Sequence, residues 1–206
     1  TKGQLTSAGS ASFFGGAGSF MSFASAAQRD SVGSITTQGL VHVAGQSLTI
    51  PAGQSVGGSG TIEGDVSNAG TVAPGNSPGE IDINGTYVQE PGGSLDVEIA
   101  GTALDQFDIL SVSNVAIVDG FLNVALLDGF VPKSSDRFMI LTAPNVAGTF
   151  DNVTGGKVKF AGGQFNVDYS PSSVTLTNFS AVPEPGSAAL LAVGAAAMLR
   201  RRRRAC

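Results

Sequence analysis

Paired carboxylates are the side chains of this 206-residue chain whose types and spacing could support chemistry. Asp105 and Asp108 form a candidate pair, and Asp96 and Glu98 lie on the preceding predicted strand. Two carboxyl groups can serve as acid and base in polysaccharide cleavage, and calcium accepts their oxygens as ligands. The other interpretation is that these side chains lie on solvated faces and turns and keep the fold soluble. We favour this second interpretation and treat Asp105 and Asp108 as weak calcium candidates.

Histidine and cysteine chemistry is limited by number, since the chain holds one histidine, His42, and one cysteine, Cys206. Zinc, haem and cysteine-protease sites need clusters that these two residues cannot supply. His42 occupies an alternating position within residues 40–44, so we expect a strand histidine rather than a general base. The sequence predicts a non-catalytic protein without a cofactor. A polysaccharide lyase or hydrolase that uses acidic residues, with or without calcium, is the alternative.

Alternating apolar residues are the main structural pattern of the chain, and they predict β-strands. The pattern Gly-x-apolar-Asp/Asn-Val-x-apolar begins at Gly93, Gly120 and Gly163. Turn residues, such as those of the segment 74–79, separate the runs. The predicted strands lie at about 80–89, 94–100, 107–112, 115–118, 121–127, 137–142, 157–160, 164–169 and 173–178.

Repetition at such spacing favours a solenoid, in which successive coils bury one another's apolar faces. We therefore predict an all-β fold with a parallel β-helix body over residues 36–178. A β-sandwich made from the same strands is the alternative. Residues 1–35 are rich in Gly, Ser and Phe, and they are read as a lead-in strand or coil, or as the remnant of a truncated or processed leader.

Charge is divided sharply along the chain. Residues 1–181 carry six basic and fifteen acidic side chains, a net charge of −9. Such a body repels nucleic acid and anionic lipid headgroups, so neutral glycans, divalent cations and other proteins are the expected partners. The single cysteine allows no intrachain disulfide, so strand pairing must hold the fold together.

The last 25 residues have the order of a membrane address. Pro183, Glu184 and Pro185 precede an apolar segment at 186–199, and five arginines follow, from Arg200 to Arg204. Fourteen helical residues span about 21 Å, against a hydrocarbon core of about 30 Å, so this transmembrane helix would be a marginal anchor. The guanidinium groups are costly to move across a bilayer and stay on the cytoplasmic side. The rest of the chain is therefore expected to be exported.

This C-terminal block, over about residues 182–204, closely resembles the PEP-CTERM protein-sorting signal of bacteria. The resemblance implies that residues 179–206 form a sorting region whose tail is removed near Pro183-Glu184-Pro185 by an exosortase, an integral-membrane cysteine protease. Arg200, Arg201, Arg202, Arg203 and Arg204 would set the orientation in the inner membrane. A tail anchor without processing, and a nucleic-acid or nuclear-targeting arginine run, are the alternatives from the residues alone.

A second resemblance covers about residues 57–150. The sequence from Gly70 to Gly79, with its continuation through residues 85–108 and 120–142, is similar to the β-helix repeats of autotransporter passenger domains. The resemblance implies a right-handed parallel β-helix that acts as a passive surface for adhesion or for association with exopolysaccharide or other surface proteins. The expected final location is the cell surface or the extracellular medium.

Overall fold

The computed structural model describes residues 13–23, 33–43, 47–75 and 78–182. Within these residues the chain forms twenty β-strands and no helix, which confirms the predicted all-β class for this part. None of the described residues belongs to a helix with the length and apolar character needed to cross a membrane. The predicted transmembrane helix at 186–199 lies outside the described residues.

The strands are short, and turns interrupt them every few residues. In chain order they are β1 (Phe13–Gly15), β2 (Phe20–Phe23), β3 (Ile35–Thr37), β4 (Leu40–Val43), β5 (Leu48–Ile50), β6 (Ser55–Gly58), β7 (Thr61–Glu63), β8 (Val66–Asn68), β9 (Thr71–Pro74), β10 (Glu80–Asn84), β11 (Tyr87–Gln89), β12 (Ser94–Ile99), β13 (Ile109–Val112), β14 (Val115–Val118), β15 (Phe121–Leu126), β16 (Phe138–Thr142), β17 (Asn145–Gly148), β18 (Lys157–Phe160), β19 (Gly163–Ser170) and β20 (Ser173–Ala181).

Three sheets share these strands. Sheet A has the order β1-β3-β6-β9-β12-β15, sheet B the order β18-β19-β20-β16-β13-β10-β7-β4-β2, and sheet C the order β17-β14-β11-β8-β5. From β3 to β17 the chain visits sheets A, B and C in turn, so each strand from β6 onward pairs with the strand three places earlier. All of these pairs are parallel. We call one passage through the three sheets a rung. This order is consistent with the predicted parallel β-helix.

The core runs along the axis of the stacked rungs. In sheet A the inward side chains form one column through consecutive register partners, and all five are fully buried: Ile35, Val56, Val72, Leu95 and Leu122. Each such side chain contributes about 1.5–3 kcal/mol by leaving water. The stacked apolar side chains of successive rungs therefore supply the main stabilisation of the body. This is what the alternation of apolar residues in the sequence implied.

A buried polar network joins sheets C and A at one corner. Asn68 Nδ2 donates to Tyr87 Oη (3.0 Å) and to the Ser94 carbonyl (2.9 Å), and the Tyr87 hydroxyl donates to Gln89 Oε1 (2.8 Å). Gln89 Nε2 then donates to the Asp119 carbonyl (2.6 Å) in the next rung. Each buried donor in this network has an acceptor, so none carries the cost of a missing hydrogen bond. The network therefore fixes how consecutive corners stack.

The last three strands close one end of the stack. Strands β18, β19 and β20 are antiparallel, and β20 joins them to β16 in sheet B. The ring of Phe165 is the centre of an aromatic cluster, with centroids 5.2 Å from Phe179, 5.5 Å from Phe160 and 5.7 Å from Phe138. We call this antiparallel unit, with its Phe cluster, the cap.

Most predicted strands from residue 80 onward are present, with three differences. The segment 80–89 is two strands, β10 and β11, because the chain turns from sheet B to sheet C at Gly85. Strand β17 was not predicted. The third copy of the glycine pattern, at Gly163, lies in the antiparallel cap, whereas the copies at Gly93 and Gly120 precede strands that pair in parallel.

The first described strands lie within the Gly/Ser/Phe-rich segment at residues 1–35. Strand β1 pairs in parallel with β3, and β2 pairs in parallel with β4. These two strands therefore extend sheets A and B by one position beyond β3 and β4.

Candidate functional site

A cleft of about 300 Å³ on the outer face of sheet A is the candidate site. It lies across the middle rungs and is bounded on one side by Pro74 and Gly75 at the end of β9. Its lining residues are Thr36, Ser55, Gly57, Gly58, Ala73, Pro74, Gly75, Asp96, Glu98 and Asp108.

The depression exists because the outward positions of three neighbouring strands carry small side chains. Thr36 of β3, Gly57 of β6 and Ala73 of β9 are register partners on the outer face. The next strand, β12, presents Asp96 and Glu98 on the same face. The cleft therefore has a nearly flat floor and an acidic wall.

Asp96 is held in place by the following rung. Asn123 Nδ2 donates to Asp96 Oδ1 (2.7 Å), and the two residues are register partners in β15 and β12. The same outer face bears hydroxyl contacts between rungs, with the Ser94 hydroxyl donating to Thr71 Oγ1 (3.1 Å). Asp96 is thus positioned at the cleft by a cross-strand pair.

Asp108 closes one end of the cleft and is 1 % exposed. Its Oδ1 accepts a hydrogen bond from the Gly79 amide and its Oδ2 one from the Glu98 amide, both at 2.8 Å. Gly75 adopts a positive φ of 101°, and a Cβ there would overlap Asp108 Oδ1. Asp108 therefore joins Glu98 of β12 to Gly79, just before β10, and at position 75 only glycine fits over its carboxyl group.

Burial raises the pKa of Asp108 to about 7. The two amide hydrogen bonds oppose this rise, and the nearby Glu98 carboxylate adds to it. Both carboxyl oxygens are already occupied by backbone amides, so Asp108 is poorly placed to exchange a proton with a substrate. Its arrangement is that of a structural acid.

This shift makes stability depend on pH. The pKa of Asp108 is higher in the folded protein than the ordinary value of 3.8. The folded state therefore binds the proton more tightly, and stability present below about pH 4 is lost as the pH rises through about 7. The loss is on the order of 4 kcal/mol for a shift of this size.

Asp108→Asn should remove that pH dependence, because the amide does not titrate. It should also cost about 1–3 kcal/mol at pH 5, since its NH₂ group would face one of the two backbone amides. Denaturant unfolding at a series of pH values measures both effects. Asp105→Asn is the matched control and should keep the wild-type slope. An Asp108→Asn variant with the wild-type slope would contradict the assignment.

The other predicted carboxylate does not join this cleft. Asp105 is exposed in the turn between β12 and β13, and only its partner Asp108 lines the cleft. Across the four described ranges, no group of three or more His, Cys, Asp or Glu side chains could hold a metal ion. Asp96 and Glu98, named as neighbours from the sequence, lie in the cleft with Asp108.

His42 lies on the outer face of sheet B, away from the cleft. Its Nδ1 is 3.4 Å from Ser22 Oγ, and its ring stacks on Phe20 with centroids 6.4 Å apart. This is the outward strand position that the alternation predicts.

Two features of the site were not recognised in the sequence. The row of Thr36, Gly57 and Ala73 comes together through offsets of 21 and 16 residues, and these unequal spacings hide the row. The approach of Gly75 and Gly79 to the Asp108 carboxyl group was also missed. Gly75 within a Pro-Gly turn was the available signal.

The sorting residues follow the cap directly. Strand β20 ends at Ala181, and Val182 is 48 % exposed. Pro183, Glu184 and Pro185, and the arginines from Arg200 to Arg204, lie outside the described residues.

Comparison with known protein families identifies the C-terminal part of the chain. Residues 181–204 match the model of the PEP-CTERM protein-sorting motif, which confirms the C-terminal signal predicted from the sequence. No curated protein matches the chain. The motif indicates a sorted, exported protein that is recognised by an exosortase, a membrane protease, with transient anchoring in the membrane.

Proposed function

We propose that the body is a non-catalytic parallel β-helix that the C-terminal signal delivers to the cell surface, after an exosortase removes the tail. The observation that carries the proposal is the junction between fold and signal. The cap ends at Ala181, and the sorting motif begins there. The folded body and the processing signal thus form one continuous unit.

The β-helix is favoured over a sandwich by the pairing of the strands. Every pair among the first seventeen strands is parallel, and each rung returns to the same three sheets. Sandwiches are built mainly from antiparallel sheets. The similarity to autotransporter passenger repeats over residues 57–150 agrees with this preference.

The passive role is supported by the state of the cleft carboxyl groups. Asp108 is bound by two backbone amides, and Asp96 is bound by Asn123. Hydrolysis needs an acid and a base that are both free to reach the scissile bond. The cleft presents the hydroxyl groups of Thr36 and Ser55 beside the carboxyl groups of Asp96 and Glu98, an arrangement that suits hydrogen bonding to the hydroxyl groups of a neutral polysaccharide chain.

Polysaccharide binding tests this role. The full chain should bind neutral exopolysaccharide without cleaving it, and Asp96→Asn with Glu98→Gln should weaken binding about 10-fold through two weakened acceptors. Asp82→Asn with Asp151→Asn removes the same charge elsewhere and is the control. Binding is measured by calorimetry, and cleavage by the release of reducing or unsaturated sugar ends.

The outcomes separate a scaffold from an enzyme. Binding that depends on Asp96 and Glu98, without product release, supports the scaffold. Release of unsaturated products from acidic polysaccharides in the presence of calcium would contradict it and favour a lyase.

A further inference from the structure

The tail leaves the folded body beside the turn that joins β18 to β19. Ala181, the last residue of β20, is the register partner of Gly163 at the start of β19, and Gly163 is paired in turn with Phe160. The exit of the chain and this turn therefore lie at the same edge of sheet B.

Two lysines lie on the outer face of the cap next to this exit. Lys159 pairs with Gln164, which pairs with Ser180, and Lys157 pairs with Asn166, which pairs with Thr177. Each lysine is two strands from β20, or about 10 Å at a strand spacing of about 4.8 Å. Both are exposed, and the Val158 side chain between them is buried on the opposite face. Lys157 and Lys159 together are called the basic face.

Acidic side chains are concentrated in the rungs of the described body and are few in the cap. The described residues before 127 hold ten Asp and Glu and neither Lys nor Arg, and those from 127 to 156 hold three acidic and two basic side chains. The cap strands, from Lys157 to Ala181, hold two Lys and one Asp. The net charge of −9 over residues 1–181 therefore resides mainly in the rungs. The cap is the described end of the body that an anionic surface repels least.

One acidic side chain shares the outer face of the cap with the two lysines and offsets part of their charge. Asp168, the acidic side chain of β19 on the same outer face, accepts a hydrogen bond from Thr177 Oγ1 (2.8 Å). On the far side of β20, the exposed Arg137 immediately precedes Phe138, which pairs with Leu176. The last part of β20 thus has cationic side chains on both sides.

The tether is short. Five residue steps separate Ala181 from Gly186, where the apolar segment of the tail begins, and these steps span at most about 18 Å. Whenever that segment is in a bilayer, the cap is held near the headgroup layer. A lysine near an anionic membrane surface is attracted to it, and the attraction fades within one Debye length of about 8–10 Å.

We propose that the basic face contacts anionic lipid headgroups while the tail is in the membrane, so that the cap end of the body sits on the bilayer. This inference rests on the proposed function, since it requires the tail to engage the membrane before processing. It names the lipid surface as a second partner of the anchored protein, besides the exosortase. The acidic rungs would then point away from the membrane.

The test uses the full chain in lipid nanodiscs. A fluorophore is placed at position 161, in the exposed turn beside the basic face, by Ala161→Cys with Cys206→Ser. Energy transfer to headgroup-labelled lipid is compared in phosphatidylcholine alone and in a mixture with phosphatidylglycerol. We expect closer approach in the mixture, and reversal by high salt. Lys159→Gln should reduce the close population about five-fold, while Lys133→Gln, the same charge change in the loop before β16, should change it by less than about two-fold.

Each other outcome contradicts a different premise. If the chain inserts but energy transfer is equal in both lipids, the basic face does not contact anionic headgroups, and the tail is still an anchor. Closer approach that requires added exosortase assigns the face to a protein partner instead. Self-association of Lys159→Gln with unchanged transfer would show that the lysines protect β18, an edge strand, from pairing. Absence of insertion in either lipid removes the anchored state and overturns both proposals.

Discussion

Glu184→Ala should reduce removal of the C-terminal tail by at least about ten-fold, with full-length protein accumulating in the membrane. Glu184 is the one acidic residue from Val182 onward, and it lies between two prolines that fix the backbone on either side. A charged hydrogen-bond acceptor held in a rigid segment is a strong recognition element, worth several kcal/mol when its partner is left unpaired. The resemblance to the sorting signal implies that the exosortase recognises this motif.

Gel analysis of cells that carry the exosortase measures the ratio of full-length to processed chain. Glu90→Ala provides a matched control, because Glu90 also precedes a proline, at the turn between β11 and β12. It should be processed at the wild-type rate. Equal processing of Glu184→Ala and the wild type would show that Glu184 is not recognised.

Gly93→Ala should destabilise the body by about 3 kcal/mol, near the upper end of what overpacking costs. Gly93 lies at the corner that leads into β12, and a Cβ there would overlap the carbonyl oxygen of Asn68 in the preceding rung. The obstruction is backbone, so no side-chain rotation can relieve it. A shift of Asn68 would also disturb its hydrogen bonds to Tyr87 and to the Ser94 carbonyl.

Gly92 supplies the control for this substitution. It precedes Gly93 in the same turn, yet a Cβ on Gly92 would lie in ordinary contact range of the Ala69 carbonyl oxygen. Gly92→Ala should therefore change stability by less than about 0.5 kcal/mol. Denaturant unfolding followed by circular dichroism gives both values. Equal destabilisation by the two variants would mean that Gly93 does not lie close to the Asn68 carbonyl of the preceding rung.

The strands were predictable where alternation was strong and rung neighbours were similar. Strands β12 and β15 carry the same local pattern after Gly93 and Gly120, and they pair in register over six residues. The same pattern after Gly163 gives a strand of the antiparallel cap. Local sequence sets the side-chain alternation in both cases, but the direction of the partner strand depends on the turn that follows.

Rung length explains why the repeat was irregular in the sequence. Along sheet A, the register partners Ser55, Thr71, Ser94 and Phe121 are separated by 16, 23 and 27 residues. Turns and loops at the corners absorb these differences, because their closure cost grows only slowly with length. A stacked fold therefore needs no fixed sequence period.

The candidate site was predictable in composition and not in geometry. Asp96, Glu98 and Asp108 were identified as neighbouring acids, and all three line the cleft. Asp105 had equal standing in the sequence, yet it lies in an exposed turn. Asp105 and Asp108 are only three residues apart, but a buried segment begins between them. Phe107 and Asp108 are buried, whereas Asp105 is exposed. Only the tertiary fold distinguishes the two aspartates.

Mass spectrometry of the C-terminus in native cells tests the central claim most directly. We predict that protein recovered from the cell surface or medium keeps the body through Ala181 and lacks the segment from Gly186 to Arg204. Cells without the exosortase should yield the chain with its arginines intact. Recovery of surface protein that still ends beyond Arg204 would contradict processing, and with it the role proposed for the tail.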